Sequence, residues 1–228
     1  MILSIDASAI TASAALTEGR KVIKSEFVNK GLTHSETLMP MIKSVMGDIP
    51  FSELEAIAIT AGPGSFTGVR IGVASAKGLA FLNGTPCIPV STLEAIAYAF
   101  ENESAVICAV MDARRMQFYN ALFRAENGRI ERLTPDRAVS LEDLRTELKA
   151  YDRVIIAGDG ARLCYENIEL ENCVLAKEEL MYQNAVNVAK AAENKKRIPP
   201  KELMPVYLRQ SQAERELKLK KQTSSPYP

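Results

Sequence analysis

Two aspartates end short apolar runs, Ile2-Leu3-Ser4-Ile5-Asp6 and Ile107-Cys108-Ala109-Val110-Met111-Asp112. Each run is followed further along by a glycine loop, Gly62-Pro63-Gly64 in the first case and Gly158-Asp159-Gly160 in the second. A carboxylate at the end of a strand can hold a metal-bound water beside nucleotide phosphates, and glycine lets backbone N–H groups come close to those phosphates. Asp6, Asp112, Gly62, Gly64, Gly158 and Gly160 are therefore the candidates for holding a nucleotide. The same residues also admit a plainer reading, in which each aspartate starts a turn and each glycine supplies a backbone angle that side chains resist.

Other chemistries find less support. Gly62-Pro63-Gly64-Ser65-Phe66-Thr67-Gly68 could cradle an anion at a helix N-terminus, but it lacks the GKS or GKT ending of a P-loop. His34 is the only histidine, so no His-paired metal site exists and no HExxH segment appears. Cys87, Cys108, Cys164 and Cys173 lie in apolar surroundings without a CxxC pair, and read as buried structural thiols. No catalytic residue and no metal ligand is assigned.

The elements that must position these residues occur twice. Three β-like runs, 1–6, 12–18 and 21–29, suggest an antiparallel meander. A helix follows over 35–46, where Leu38, Met41, Ile42 and Val45 recur at helical spacing, with Pro40 inside it and a capping box formed by Thr33 and Glu36. The apolar run 56–60 then leads through the glycine loop into a helix over 67–82. The second copy consists of 107–112, 117–124, 129–133, a helix over 140–150 and the strand 154–157. A βββαβ unit present twice predicts two related lobes whose strand ends share one face. One more helix is predicted over 183–195, and an extended stretch over 205–209.

The helix over 67–82 carries Gly68, Gly72, Ala76 and Ala80 at four-residue steps, which leaves one side almost without bulk and allows close helix approach. Gly72 and Gly78 each cost about 1 kcal/mol relative to alanine inside a helix. Core packing and a partner's helix explain that cost equally well. Together with Leu38, Met41, Ile42 and Val45, the small-residue side forms the candidate association surface.

Composition bounds the rest. The chain has 228 residues, 47% of them hydrophobic, which suffices for two modest lobes. Lys+Arg and Asp+Glu both number 28, so the overall field that would draw the whole surface onto nucleic acid is missing. From Arg209 onward the sequence holds Arg209, Arg215, Lys218, Lys220 and Lys221 against Glu214 and Glu216, a charged tail read as solvated. No stretch approaches the apolar length of a membrane helix, and the start lacks the pattern of a signal peptide, so a cytoplasmic chain is expected.

Several blocks resemble the TsaB (YeaZ) family: 2–8, 34–40, Thr60-Ala61-Gly62-Pro63-Gly64-Ser65-Phe66-Thr67-Gly68-Val69-Arg70, Asp112-Ala113-Arg114-Arg115 and Pro205-Val206-Tyr207-Leu208-Arg209. The resemblance implies an α/β fold of the ASKHA type, the actin, Hsp70 and sugar-kinase architecture. On this reading the lobes fall at 1–103 and 104–210, followed by the tail 211–228. It implies a non-catalytic subunit that supports transfer of a threonylcarbamoyl group to the adenosine beside the anticodon of tRNAs reading codons that begin with A. The implied partners are TsaD, as a heterodimer, and the ATPase TsaE. tRNA would be met only through the complex, and the free chain would form a homodimer. No tightly bound cofactor is implied, ATP or ADP at the complex interface being the nucleotide left open. In the paralogue TsaD an HxxxH metal pair stands where this chain has Thr92 and Ile96, neither of which can replace imidazole. The competing reading is a small-molecule kinase or ATPase that uses Asp6, Asp112 and the glycine loops.

Overall fold

The computed structural model describes residues 1–29 and 34–209. Thr33 of the expected capping box and the tail 211–228 lie outside the described residues. Five strands build the first sheet: β1 (Ile2–Asp6), β2 (Ala12–Glu18), β3 (Lys21–Val28), β4 (Ala56–Gly62) and β5 (Cys87–Ser91). Their order across the sheet is β3-β2-β1-β4-β5, with β1, β2 and β3 antiparallel and β4 and β5 running parallel to β1.

The second sheet contains β6 (Ala105–Asp112), β7 (Gln117–Glu126), β8 (Arg129–Arg132), β9 (Arg137–Ser140), β10 (Val154–Ala157) and β11 (Cys173–Leu175). Its order is β11-β10-β6-β7-β8, with β9 paired to β7. Read from the meander edge, this is the first sheet's order again: β6 takes the place of β1, and β10 and β11 those of β4 and β5. Asp6 and Asp112 thus end the equivalent central strands.

Alternation along the strands decides which side each helix covers. Leu3, Ile5, Ile57 and Ile59 face α1 (His34–Met46) and α2 (Phe66–Asn83), in one core with Leu38, Ile42, Val45, Val69, Val73 and Ala76. Ala56 and Ala58 point to the other side, where they meet Val188, Ala191 and Ala192 of α7 (Ala185–Ala192) and Ala95 of α3 (Thr92–Ala97). Residues this small let those helices lie close to the sheet. Asn184 caps α7, and Ser13 Oγ accepts the Ala185 N–H at 2.8 Å. So α7, which the sequence reading placed within the second lobe at 104–210, packs on the first.

The second lobe folds around Phe118, Leu122, Phe123, Ile107, Val110 and Ile156, closed by Leu144 and Leu148 of α4 (Leu141–Leu148) and by Cys164 and Ile168 of α5 (Ala161–Ile168). A short helix, α6 (Glu178–Met181), completes it. Leu93 and Ile96 of α3 belong to the same core, which ties the lobes together with apolar contacts. All four cysteines are buried and free, and burial pushes the Cys164 thiol up to about 12.

α2 starts on the Ser65 cap, whose Oγ accepts the Gly68 N–H at 3.3 Å, and stops at Gly84 in a left-handed conformation. Its two internal glycines have opposite surroundings. A Cβ on Gly72 would lie 3.1 Å from Ile59 Cδ1, whereas one on Gly78 would meet nothing within 4 Å. Gly78→Ala should therefore stabilise the isolated chain by up to about 1 kcal/mol through helix propensity alone. Gly158 is the contrast: it sits at φ +114°, and its Cβ would collide with Val110 O. Gly158→Ala should cost at least about 2 kcal/mol. Urea midpoints of the two variants check this pair of opposite signs.

Candidate functional site

The ends of β1, β4, β6 and β10 open on a cleft between the lobes, a cavity of ≈ 450 Å³ whose lining includes Gly64, Ser65, Phe66, Asp112, Tyr119 and Asp159. Asp6 lies beneath it, fully buried. Ser8 donates to its carboxylate from the backbone N–H (3.1 Å) and from Oγ (3.1 and 3.2 Å). Burial raises the Asp6 carboxyl above the usual range, and the Ser8 hydrogen bonds only partly offset this. Asp112 makes the equivalent turn, its Oδ1 accepting the Arg114 N–H at 2.6 Å. Both aspartates thus cap the backbone two residues on, which is the turn-forming role weighed for them from sequence.

Asp159 faces the cleft from the second glycine loop. Burial pushes its carboxyl up to about 6; the Gln183 Nε2 hydrogen bond at 3.2 Å pulls the other way, and the neighbouring Asp112 charge adds to the rise. The other side of the Gln183 amide, Oε1, is buried without a partner among the described residues. Asp159 was not singled out from sequence. Its place between Gly158 and Gly160, opposite Asp112, was the available signal.

The four glycines of the two loops lie against the chain's own backbone. A Cβ on Gly62 would run into Val206 O, on Gly64 into Ser8 O, and on Gly158 into Val110 O, while one on Gly160 would stand 2.8 Å from Asp112 N. The loops need glycine because two chain segments touch there, a demand that exists without any phosphate. Ser65 N–H donates to Ser8 O at 2.7 Å, and Val206 N–H to Ala61 O at 2.7 Å, so the first loop is held on both sides.

The two positions set against the metal pair that the resemblance implies for TsaD are both in the protein's interior. Thr92 and Ile96 are buried in α3, and Ile96 Cδ1 lies 3.2 Å from where a Gly158 side chain would begin. Ile96 belongs to the core of the second lobe, and Thr92 Oγ1 is buried without a hydrogen-bond partner among the described residues. Among the described residues no three His, Cys, Asp or Glu side chains group as a cation site. His34 stands at the start of α1 with Nε2 2.6 Å from Ala9 O.

The eight residues assigned from sequence to a partner surface are placed otherwise. Leu38, Met41, Ile42, Val45, Gly68, Gly72, Ala76 and Ala80 are all buried within the first lobe. The small-residue side of α2 is used by the lobe's own sheet: a Cβ on Gly68 would strike Ala7 O, and one on Gly72 would crowd Ile59. Across the helix lies a second apolar side that sequence reading passed over. Ala74 and Gly78 are exposed, and Phe81 and Leu82 are 80% and 81% exposed. A smaller cavity of ≈ 190 Å³ beside α7 is lined by charges already paired with one another, including Arg20 with Glu193 (3.0 Å) and Arg197 with Glu55 (3.4 Å).

Two sheets of identical strand order facing each other across a cleft define a two-lobed ASKHA-like protein. The family model described as TsaD, tRNA N6-adenosine threonylcarbamoyltransferase, matches residues 30–216. The tRNA threonylcarbamoyladenosine biosynthesis protein TsaB of Bacillus subtilis is 37% identical over 171 residues, 74% of this chain and 75% of the relative. The protein of the same description from Haemophilus influenzae is 37% identical over 123 residues, 52% of this chain and 51% of the relative. Among solved structures, YeaZ from Pseudomonas aeruginosa superimposes with a TM-score of 0.79 at 25% identity, covering 91% of this chain and 99% of that one. The chain belongs to the TsaB/YeaZ family. Among the described residues no helix is long and apolar enough to cross a membrane.

The raised Asp159 carboxyl has a testable sign. A group that holds its proton more tightly when folded favours the folded state at low pH, and this contribution is lost as pH rises from about 4 to about 6. Asp159→Asn keeps an acceptor for Gln183 and removes the buried charge. It should stabilise the chain by on the order of 2 kcal/mol at about pH 8 and by almost nothing at about pH 4. Thermal melts of both proteins at the two pH values measure the difference.

Proposed function

We propose that the chain is a non-catalytic subunit of the tRNA threonylcarbamoyladenosine pathway, which organises a TsaD partner that transfers the threonylcarbamoyl group, with TsaE as the accompanying ATPase. The observation that carries this reading is the cleft itself. The glycines of both loops are taken up by the chain's own backbone, and Ile96 packs against the second loop at a position where the resemblance implies a metal ligand in TsaD. Family membership supplies the pathway. The chain acts in the cytoplasm, and any ATP or ADP is held at the interface of the complex.

The surface for the partner is the outward side of α2. Ala74, Gly78 and Phe81 follow one another at helical spacing, with Leu82 beside them, opposite the buried side that the sequence suggested. Small residues at Ala74 and Gly78 let another helix approach closely, and the exposed Phe81 and Leu82 supply apolar area at one end. A partner built on the same fold offers an equivalent helix, and the same side gives the free chain its homodimer.

Phe81→Glu combined with Leu82→Glu should leave the protomer folded, since both side chains are exposed, while its homodimer on the same side dissociates. Affinity for TsaD should fall by about a hundredfold or more, and modified adenosine should fall with it. Calorimetric titration and mass spectrometry of tRNA nucleosides read the two effects. Unchanged affinity would remove α2 from the interface, and modification that proceeds equally well without this chain would overturn the proposed function.

A further inference from the structure

We propose that the C-terminal strap and the turn it reaches form a contact for the phosphate backbone of RNA, within the complex proposed above and resting on that reading. The strap runs from a 3-10 turn at Pro200–Glu202 to Arg209 along one flank of α2. Lys77 Nζ donates to Lys201 O (3.5 Å), and Arg70 Nε to Tyr207 Oη (2.7 Å). The rings of Phe66 and Tyr207 stack with centroids 4.8 Å apart, and the Arg70 guanidinium lies 5.6 and 5.3 Å from them. At its end, Arg209 Nη1 donates to Ala113 O at 2.7 Å, delivering the strap to the β6–β7 turn.

That turn holds three successive side-chained residues at positive φ: Arg114 (68°), Arg115 (58°) and Met116 (54°). Such backbone is costly, and sites where it persists are commonly functional. Here it leaves both Arg114, which lines the cleft, and the adjoining Arg115 exposed. Among the described residues the arginines without a carboxylate partner are Arg70, Arg115, Arg129 and Arg209. Three of these four stand on this rim. The nearby acids are Glu202 on the 3-10 turn, Asp159 in the same cavity as Arg114, and Asp112, which Arg114 reaches at 3.4 Å.

Unpaired guanidinium groups are suited to phosphate, which they meet in a planar, bidentate fork and at modest desolvation cost. A half-exposed tyrosine stacked among them offers a surface for a base, which favours RNA over an acidic peptide. Asp112 and Asp159 on the cleft floor would repel phosphate, so the strand passes over the rim and does not enter. Balanced net charge fits a local contact of this kind, one that adds to what the partner binds. In sequence the strap leads on to Arg215, Lys218, Lys220 and Lys221.

The test is tRNA affinity of the complex reconstituted with TsaD and TsaE, measured by fluorescence anisotropy across a salt series. Arg114→Gln with Arg115→Gln should weaken binding about tenfold near physiological salt and flatten the log–log salt slope by about one to two. The double lysine variant should keep most of the slope, and both variants should still bind TsaD as wild type does. Wild-type affinity and slope in the glutamine variant would overturn the proposal, and so would loss of TsaD binding, which would make the rim a protein contact. Modification that needs this chain while ignoring the glutamine variant would refute the rim alone. Modification without the chain would refute the functional reading beneath it.

Discussion

Close approach of backbone to backbone at four glycines is the constraint on which the remaining architecture depends. Gly62 lies against the strap at Val206, Gly64 against Ser8, and Gly158 and Gly160 against the end of β6. At each place a side chain would push two segments apart. The first pair fixes where α2 begins and therefore which side of it faces the sheet. The second pair sets α5 and Asp159 against the β6 strand end. In a kinase-like relative such loops could hold phosphate, but here they close on the protein.

From this constraint the two lobes acquire different tasks. The first lobe buries the glycine side of α2 under Ile59 and Ala7 and leaves a flat apolar side outward, with Phe81 and Leu82 at its end. α7 and the strap return to it from beyond the strands of the second lobe. The second lobe supplies the other wall of the cleft and, through the β6–β7 turn, the exposed Arg114 and Arg115. Ile96 joins them by packing from the first lobe's helix into the second lobe's core.

Much of the architecture was legible in the sequence. The central strands ending in Asp6 and Asp112, the meanders and the two glycine loops announced the duplication, because period-two runs and Gly-x-Gly segments are local signals. β5, α3 and β11 were not assigned, since apolar runs of three to six residues look alike whatever they become. The position of the small-residue side was read correctly and its orientation was not. Both sides of α2 are small or apolar, so periodicity finds two stripes and cannot say which meets the sheet. The left-handed turn at Arg114, Arg115 and Met116 contains no glycine, and the contacts of Val206, Tyr207 and Arg209 span the length of the chain. Neither leaves a local trace.

The most direct test of the account is reconstituted tRNA modification with TsaD, TsaE and a chain carrying Asp6→Asn and Asp159→Asn, beside wild type and a reaction lacking the chain. Heterodimer formation is measured in parallel as a control for folding. If the chain organises a catalytic partner, the double variant should yield modified adenosine at the wild-type level and the reaction without the chain should yield almost none. Loss of product by a variant that still forms the heterodimer would contradict the account and place chemistry in this cleft.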